Sequence, residues 1–258
     1  MKLGMPILFE FNTIEENLKL ATELGLDFVE LNLNFSYCRK EMEEGRIAEL
    51  LKKYPLQITL HFYDEADLGS YPEVVEGYLT LLEKYASLGE GYVKMINFHN
   101  NGGPVVTISG RRNYIYEKEY DSYIKRLIPA FKRAKDICEK KGIKIVIENT
   151  DTCPGASFLK DVYRDEMNAG FHFNLDIGHD AVMGGWLHEL SKKLPLKFDE
   201  FHIHDSDGKR NHLALGEGTL GERLKAFKKM AEENDAYVLL EVKSSQDLKK
   251  SVPFWRNL

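Results

Sequence analysis

An alternation running from one end of the chain to the other narrows its possible folds more than any other feature. Short apolar runs, rich in Val, Ile, Leu and Phe, fall at 3–8, 28–33, 57–62, 92–98, 143–148, 171–176, 198–204 and 237–242. Each reads as a strand and is too short for a helix. Amphipathic stretches with helix start and stop signals lie between them. Thr13 to Glu16 is a capping box, after which Ile14, Leu18 and Ala21 share a face until Gly25. Ser70 to Glu73 reads as a second box with Pro72 in the first turn, and Gly89 closes that helix. Ile124, Leu127, Phe131, Ala134 and Cys138 line one side of a helical segment near 117–141, with Pro129 expected to kink or break it. Thr219 to Glu222 and Ser244 to Asp247 read as further helix starts.

Eight strand–helix units in 258 residues match the size and order of a (β/α)8 TIM barrel, an α/β fold. No Pro/Ser-rich linker divides the chain, so residues 1–258 read as a single domain. The longest connection, 99–117, carries VVTIS and NYIY on either side of GRR and predicts a small hairpin over the barrel mouth.

Several function classes lose support at once. No stretch approaches the roughly 20 apolar residues of a membrane helix. Glu10 interrupts the N-terminal apolar run before a signal-peptide core forms, which predicts a cytoplasmic protein. Cys38, Cys138 and Cys153 form no CxxC pair, against a disulfide framework. There is no GxGxxG after the first strand, no GxSxG and no Walker-type GKS/T, so no organic cofactor or nucleophile elbow is expected. A net charge of −6 exerts no overall pull toward nucleic acid.

Barrel enzymes carry their chemistry where the strands end. Here polar residues gather at those ends. His61 ends QITLH, His99 ends MINFH, Glu148 ends IKIVIE and Asp176 ends FHFNLD; His202 and His204 end FDEFHIH, and Glu241 ends YVLLE. Strand alternation puts His172, Asn174 and Asp176 on one face, His202 and His204 on one face, and Glu30 with Asn32 and Asn34 on another. Buried carboxylates converging on one mouth repel unless a proton or cation neutralises them. Mixed Glu, Asp and His donors suit Zn, Mn, Fe or Co better than Ca. His179 adds a donor just past Asp176. His172, at the start of its strand, and His188, inside a helical segment, read as structural.

The motifs IVIEN, LDIGH, FHIHDSDGKRNHLALGEG and LLEVK, taken together, resemble the xylose isomerase-like TIM barrels, which group sugar isomerases and epimerases with endonuclease IV. The resemblance spans essentially the whole chain. For the epimerase-like members it implies one divalent metal (Zn, Mn, Co or Mg) held by Glu148, Asp176, His202 and Glu241, with His204 as substitute for His202. It further implies that Glu148 and Glu241 move a proton through a metal-stabilised enediolate of a small sugar, sugar phosphate or polyol. His179 would orient the substrate, and Lys209, Arg210 and Glu30 are candidates to contact it.

The endonuclease IV branch implies instead a zinc cluster acting on abasic DNA, for which His61, His99, His179 and His212 are further candidate ligands. That branch carries D-x-H where this chain has Arg210-Asn211-His212, and an arginine there repels zinc. Arg111 and Arg112 with Lys209 and Arg210 are the candidate phosphate contacts. The isomerase/epimerase reading therefore leads, with nucleic acid a partner only under the alternative and a homo-oligomer possible under either.

Overall fold

Eight parallel strands close into a barrel in the computed structural model, which describes residues 1–153 and 155–258. The barrel strands are β1 (Lys2–Pro6), β2 (Phe28–Asn32), β3 (Gln57–His61), β4 (Val93–His99), β7 (Lys144–Glu148), β8 (Phe173–Asp176), β9 (Phe198–Ile203) and β10 (Tyr237–Leu240). Two further strands, β5 (Val105–Ile108) and β6 (Arg111–Tyr114), form a separate antiparallel pair. Around the barrel the order is β1-β10-β9-β8-β7-β4-β3-β2, each strand beside its sequence neighbour in the barrel. This is the (β/α)8 architecture that the alternation of the sequence predicts.

Helices cover the outside because outward-facing strand residues such as Phe201, Ile203, Val238 and Leu240 are apolar and fully buried. Thr13 caps the helix Ile14–Glu23 with a complete capping box, and Ser244 caps Ser245–Arg256 by accepting from the Asp247 amide. Two expected helix starts differ. Helix Pro72–Leu88 begins after Tyr71 without a side-chain cap, because Pro72 takes the first position and has no N–H to satisfy. Thr219 donates to the Ser206 carbonyl, leaving Glu222 to precede helix Arg223–Glu233. Pro129 interrupts nothing: helix Tyr120–Glu139 runs through it.

The predicted hairpin is present. Ser109 and Gly110 both have positive φ (49° and 80°), the geometry of a two-residue turn matched to strand twist, and Ile108 pairs with Arg111. Its second strand is RRNY, and Ile115–Lys118 turns helical instead of extending it. Among the described residues no helix is long and apolar enough to cross a membrane.

Candidate metal centre

The registers of the parallel strands decide which side chains meet. His99 lies level with Glu148, Glu148 with Asn174, and Asp176 with His202. With alternation, these residues point inward at the C-terminal end of the barrel. Glu241 follows β10 directly. Glu148, Asp176, His202 and Glu241 are all buried, and each offers one ligand atom within 4.8 Å of the others. His202 Nδ1 is 3.3 Å from Oε2 of both Glu148 and Glu241 and 4.0 Å from Asp176 Oδ2. Glu148 and Glu241 stand on strands three positions apart in a ring of eight, so they face each other across the mouth without being diametrically opposed.

These residues fit a divalent cation. Both ring nitrogens of His202 and Oε2 of Glu241 are buried without a hydrogen-bond partner, which is costly for groups that gain nothing by it. Burial opposes charge on His202, yet Glu148, Glu30 and Glu241 outweigh it and raise its pKa well above the ordinary histidine value. Burial likewise opposes ionisation of Glu148, and His202 with His99 outweigh it and hold that carboxyl well below its usual range. Three carboxylates around one imidazole call for a proton or a cation among them.

A supporting shell fixes the set. Asn97 and Asn174 both donate side-chain amides to Glu148 Oε2. Asn149 clamps the backbone of Asp176 from both sides, donating to its carbonyl at 2.8 Å and accepting from its amide at 2.9 Å. Asp176 Oδ1 caps the helix Ile177–Val182 by accepting from the His179 amide at 2.6 Å. Beneath the quartet, Glu30 Oε1 is 3.7 Å from His202 Nε2, so Glu30 lies on the floor side of that imidazole and is not brought to the open mouth. Neighbouring Glu200 has no partner for either carboxyl oxygen, and burial and then Glu30 raise its pKa well above the ordinary value.

The remaining histidines form two further groups. His61, His99 and Glu148 converge on one side, and His179, His204 and His212 on the other. His61, His179 and His212 each place Nδ1 against a backbone carbonyl, of Phe62 (2.8 Å), Asn149 (3.1 Å) and Glu241 (3.0 Å). That contact makes Nδ1 the donor and points Nε2 away from the backbone. Burial lowers the pKa of His179, but Asp176 and Glu148 carry it up to about 9; His212, dominated by burial, falls to about 4. The first is a charged donor at neutral pH and the second a neutral acceptor. His172 sits at the floor, 3.0 Å from Asp199, and His188 packs on Phe227.

Lys209 and Arg210 are on the exposed tip of the loop after β9. Arg210 Nε donates to Asp207 at 2.8 Å, so its guanidinium turns outward, away from His212. Asp205 is buried within the same loop and accepts from the amides of Ser206, Gly216 and Leu220 at 2.9, 3.0 and 3.1 Å. Neither acid joins a metal-ligand group among the described residues. Gly218 makes room for this anchor, since a Cβ there would lie 2.2 Å from Asp205 Oδ1. Arg111 and Arg112 are exposed on the hairpin.

Sequence reasoning missed Asn97, Asn149, Glu200 and Lys243. Asn97 and Glu200 share the faces of His99 and His202 by simple alternation and were within its reach. Asn149 and Lys243 lie beyond strand ends, where no period applies. Lys243 places Nζ 2.6 Å from Glu241 Oε1, leaving Oε2 to face His202.

The model of the family "Xylose isomerase-like TIM barrel" matches residues 18–258, and the chain belongs to that family. Comparison with curated protein sequences returns no match. Among solved structures, the chain is similar to a D-tagatose 3-epimerase-like protein, at 19% identity and TM-score 0.78, covering 100% of this chain and 96% of that one. It is also similar to the 3-keto-D-glucoside 4-epimerase YcjR from E. coli (16% identity, TM-score 0.77, 100% of both chains). A third is a protein from Thermus thermophilus, soaked with ZnCl2 (21% identity, TM-score 0.70, 100% and 97%). At these identities the likeness is one of fold.

Proposed function

We propose that the chain is a divalent-metal-dependent isomerase or epimerase of a small sugar, sugar phosphate or related polyol, working as a single barrel domain. The observation that carries this reading is the buried quartet of Glu148, Asp176, His202 and Glu241, converging within 4.8 Å with the His202 nitrogens and Glu241 Oε2 left without a hydrogen-bond partner. Two of the structural relatives bear epimerase names, which agrees with it. The three cysteines are buried free thiols, which suits a reducing compartment such as the cytoplasm.

A divalent ion bound there, with Zn, Mn, Co and Mg all compatible with the donors, supplies Lewis acidity to a hydroxy-carbonyl substrate. The chain's own residues do the rest. Glu148 and Glu241 approach from separate strands, so one takes the carbon-bound proton and the other returns it to the opposite face. His179 donates to a substrate oxygen. Asn97 and Asn174 keep Glu148 from swinging away. The direct test incubates metal-loaded protein with a panel of ketoses and aldoses in D2O. Deuterium entering at the carbon beside the carbonyl, with interconversion of epimers, is the expected result; no exchange with any sugar rejects the reading.

One observation favours a second reading, a zinc phosphodiesterase of abasic DNA: Glu148 is shared between the quartet and the His61–His99 pair. Three zinc ions per chain and incision of an abasic duplex would establish it in place of the first.

A further inference from the structure

His204 has the residue type and position of a metal ligand, but its hydrogen bonds exclude that role. Its Nδ1 lies 2.6 Å from the backbone nitrogen of His212, an amide that can only donate. Nδ1 therefore carries a lone pair. The Asp205 carbonyl, 3.4 Å from the same atom, is too distant to compete. The ring proton is then on Nε2, which is 2.9 Å from both carboxylate oxygens of Asp176. Both nitrogens are committed, and neither has a free lone pair.

We infer that His204 is a positioning residue: it carries no metal ion but orients Asp176, fixing the carboxylate by donating Nε2–H between its two oxygens. This rests on the metal reading proposed above. Asp176 Oδ1 already accepts from the His179 amide at 2.6 Å. His204 adds a donor shared between Oδ1 and Oδ2, which holds the carboxylate with Oδ2 4.0 Å from His202 Nδ1. The imidazole is closely packed. His212 stacks on it at 4.2 Å between centroids, and a Cβ at Gly178 would lie 1.9 Å from its Cε1. Only glycine at 178 leaves space for this ring. His212 itself has φ +55°, an uncommon backbone conformation for a side-chain-bearing residue, and that bend brings its amide to His204.

Outer donors of this kind change metal affinity about 10–100-fold without changing the number of ions. The test titrates Mn2+ into the full chain and its variants, counts bound metal, and records the Co2+ absorption spectrum. His204→Ala should keep the wild-type number of ions per chain, bind them about 10–100-fold more weakly, and alter the Co2+ bands. His204→Gln, whose amide nitrogen reaches the Nε2 position, should recover most of the affinity. His204→Asn keeps only the contact to the His212 amide and should remain weak. Gly178→Ala should reproduce the His204→Ala defect by displacing the ring. Loss of one whole ion per chain in His204→Ala makes His204 a ligand and overturns the inference; so does wild-type affinity in that variant. If the alanine variant does not fold, the glutamine and asparagine variants decide, and equal affinity in those two overturns it. A wild-type chain that binds neither Mn2+ nor Co2+ overturns the metal reading itself.

Discussion

The Nε2 atoms of His61 and His99 face each other at 3.1 Å, and both approach Glu148 Oε2, at 3.7 and 3.4 Å. Two lone pairs cannot meet at that distance, so a proton or a cation lies between them. Because His61 donates Nδ1–H to the Phe62 carbonyl, the shared proton comes from His99. Burial opposes charge on His99, but Glu148 and Asp64 outweigh it and raise its pKa. Under the epimerase reading a proton suffices here. Metal analysis of the His61→Ala/His99→Ala double variant should then give about one ion per chain, as in the wild type. A drop of one ion assigns the pair its own metal and shifts the balance to the phosphodiesterase.

Glu148→Gln and Glu241→Gln each keep a ligating oxygen but lose the ability to take a proton. Sugar interconversion should fall by about 10²–10⁴-fold in each, with bound metal partly retained. Steady-state turnover with metal content measured on the same sample checks this; undiminished turnover removes both residues from proton transfer.

Asn149→Ala removes two buried hydrogen bonds to the Asp176 backbone and leaves that amide and carbonyl without their side-chain partner. The expected loss is about 1–3 kcal/mol in a urea denaturation series. An unchanged midpoint would show that the strand end holds Asp176 unaided.

Glu166, on helix Leu159–Asn168, is fully buried, with Asn100 donating to its Oε2 at 3.0 Å. Burial raises its pKa from 4.5 to about 8. Between those values the folded chain binds a proton that the unfolded chain has lost, so stability falls as pH rises through that window. Glu166→Gln removes the titration. The variant should therefore gain on the wild type between pH 5 and pH 8, by on the order of a few kcal/mol. Denaturation curves of both proteins at the two pH values decide, and a constant difference rejects the assignment.

The barrel and the polar strand ends were legible because period-two alternation and strand length act locally. The choice of Glu148, Asp176, His202 and Glu241 among those ends came from the resemblance to the xylose isomerase-like barrels. Glu148, Asp176 and His202 sit at or next to the last inward position of their strands, so counting along one strand suffices to find them. What is decided by neighbours was not legible. His204 shares a face with His202, and only the path of the loop, which brings the His212 amide to Nδ1, separates their chemistry. Arg210 reads as a barrier to zinc beside His212, yet Asp207 turns it to solvent. Ser70 has the spacing of a cap, but Pro72 sets the helix start. Such outcomes depend on tertiary contacts between segments far apart in sequence or on competition within a single turn.

The anchoring of the loop after β9 has a consequence for how a barrel of this family diversifies. Asp205 fastens the base of the loop through three amides, while Lys209 and Arg210 stand on a tip tied down locally by Asp207. Mutational drift can therefore rewrite the charges offered to an incoming molecule while the histidines at the base stay in register. Diversification of this mouth is separated, within a single loop, from preservation of its chemistry.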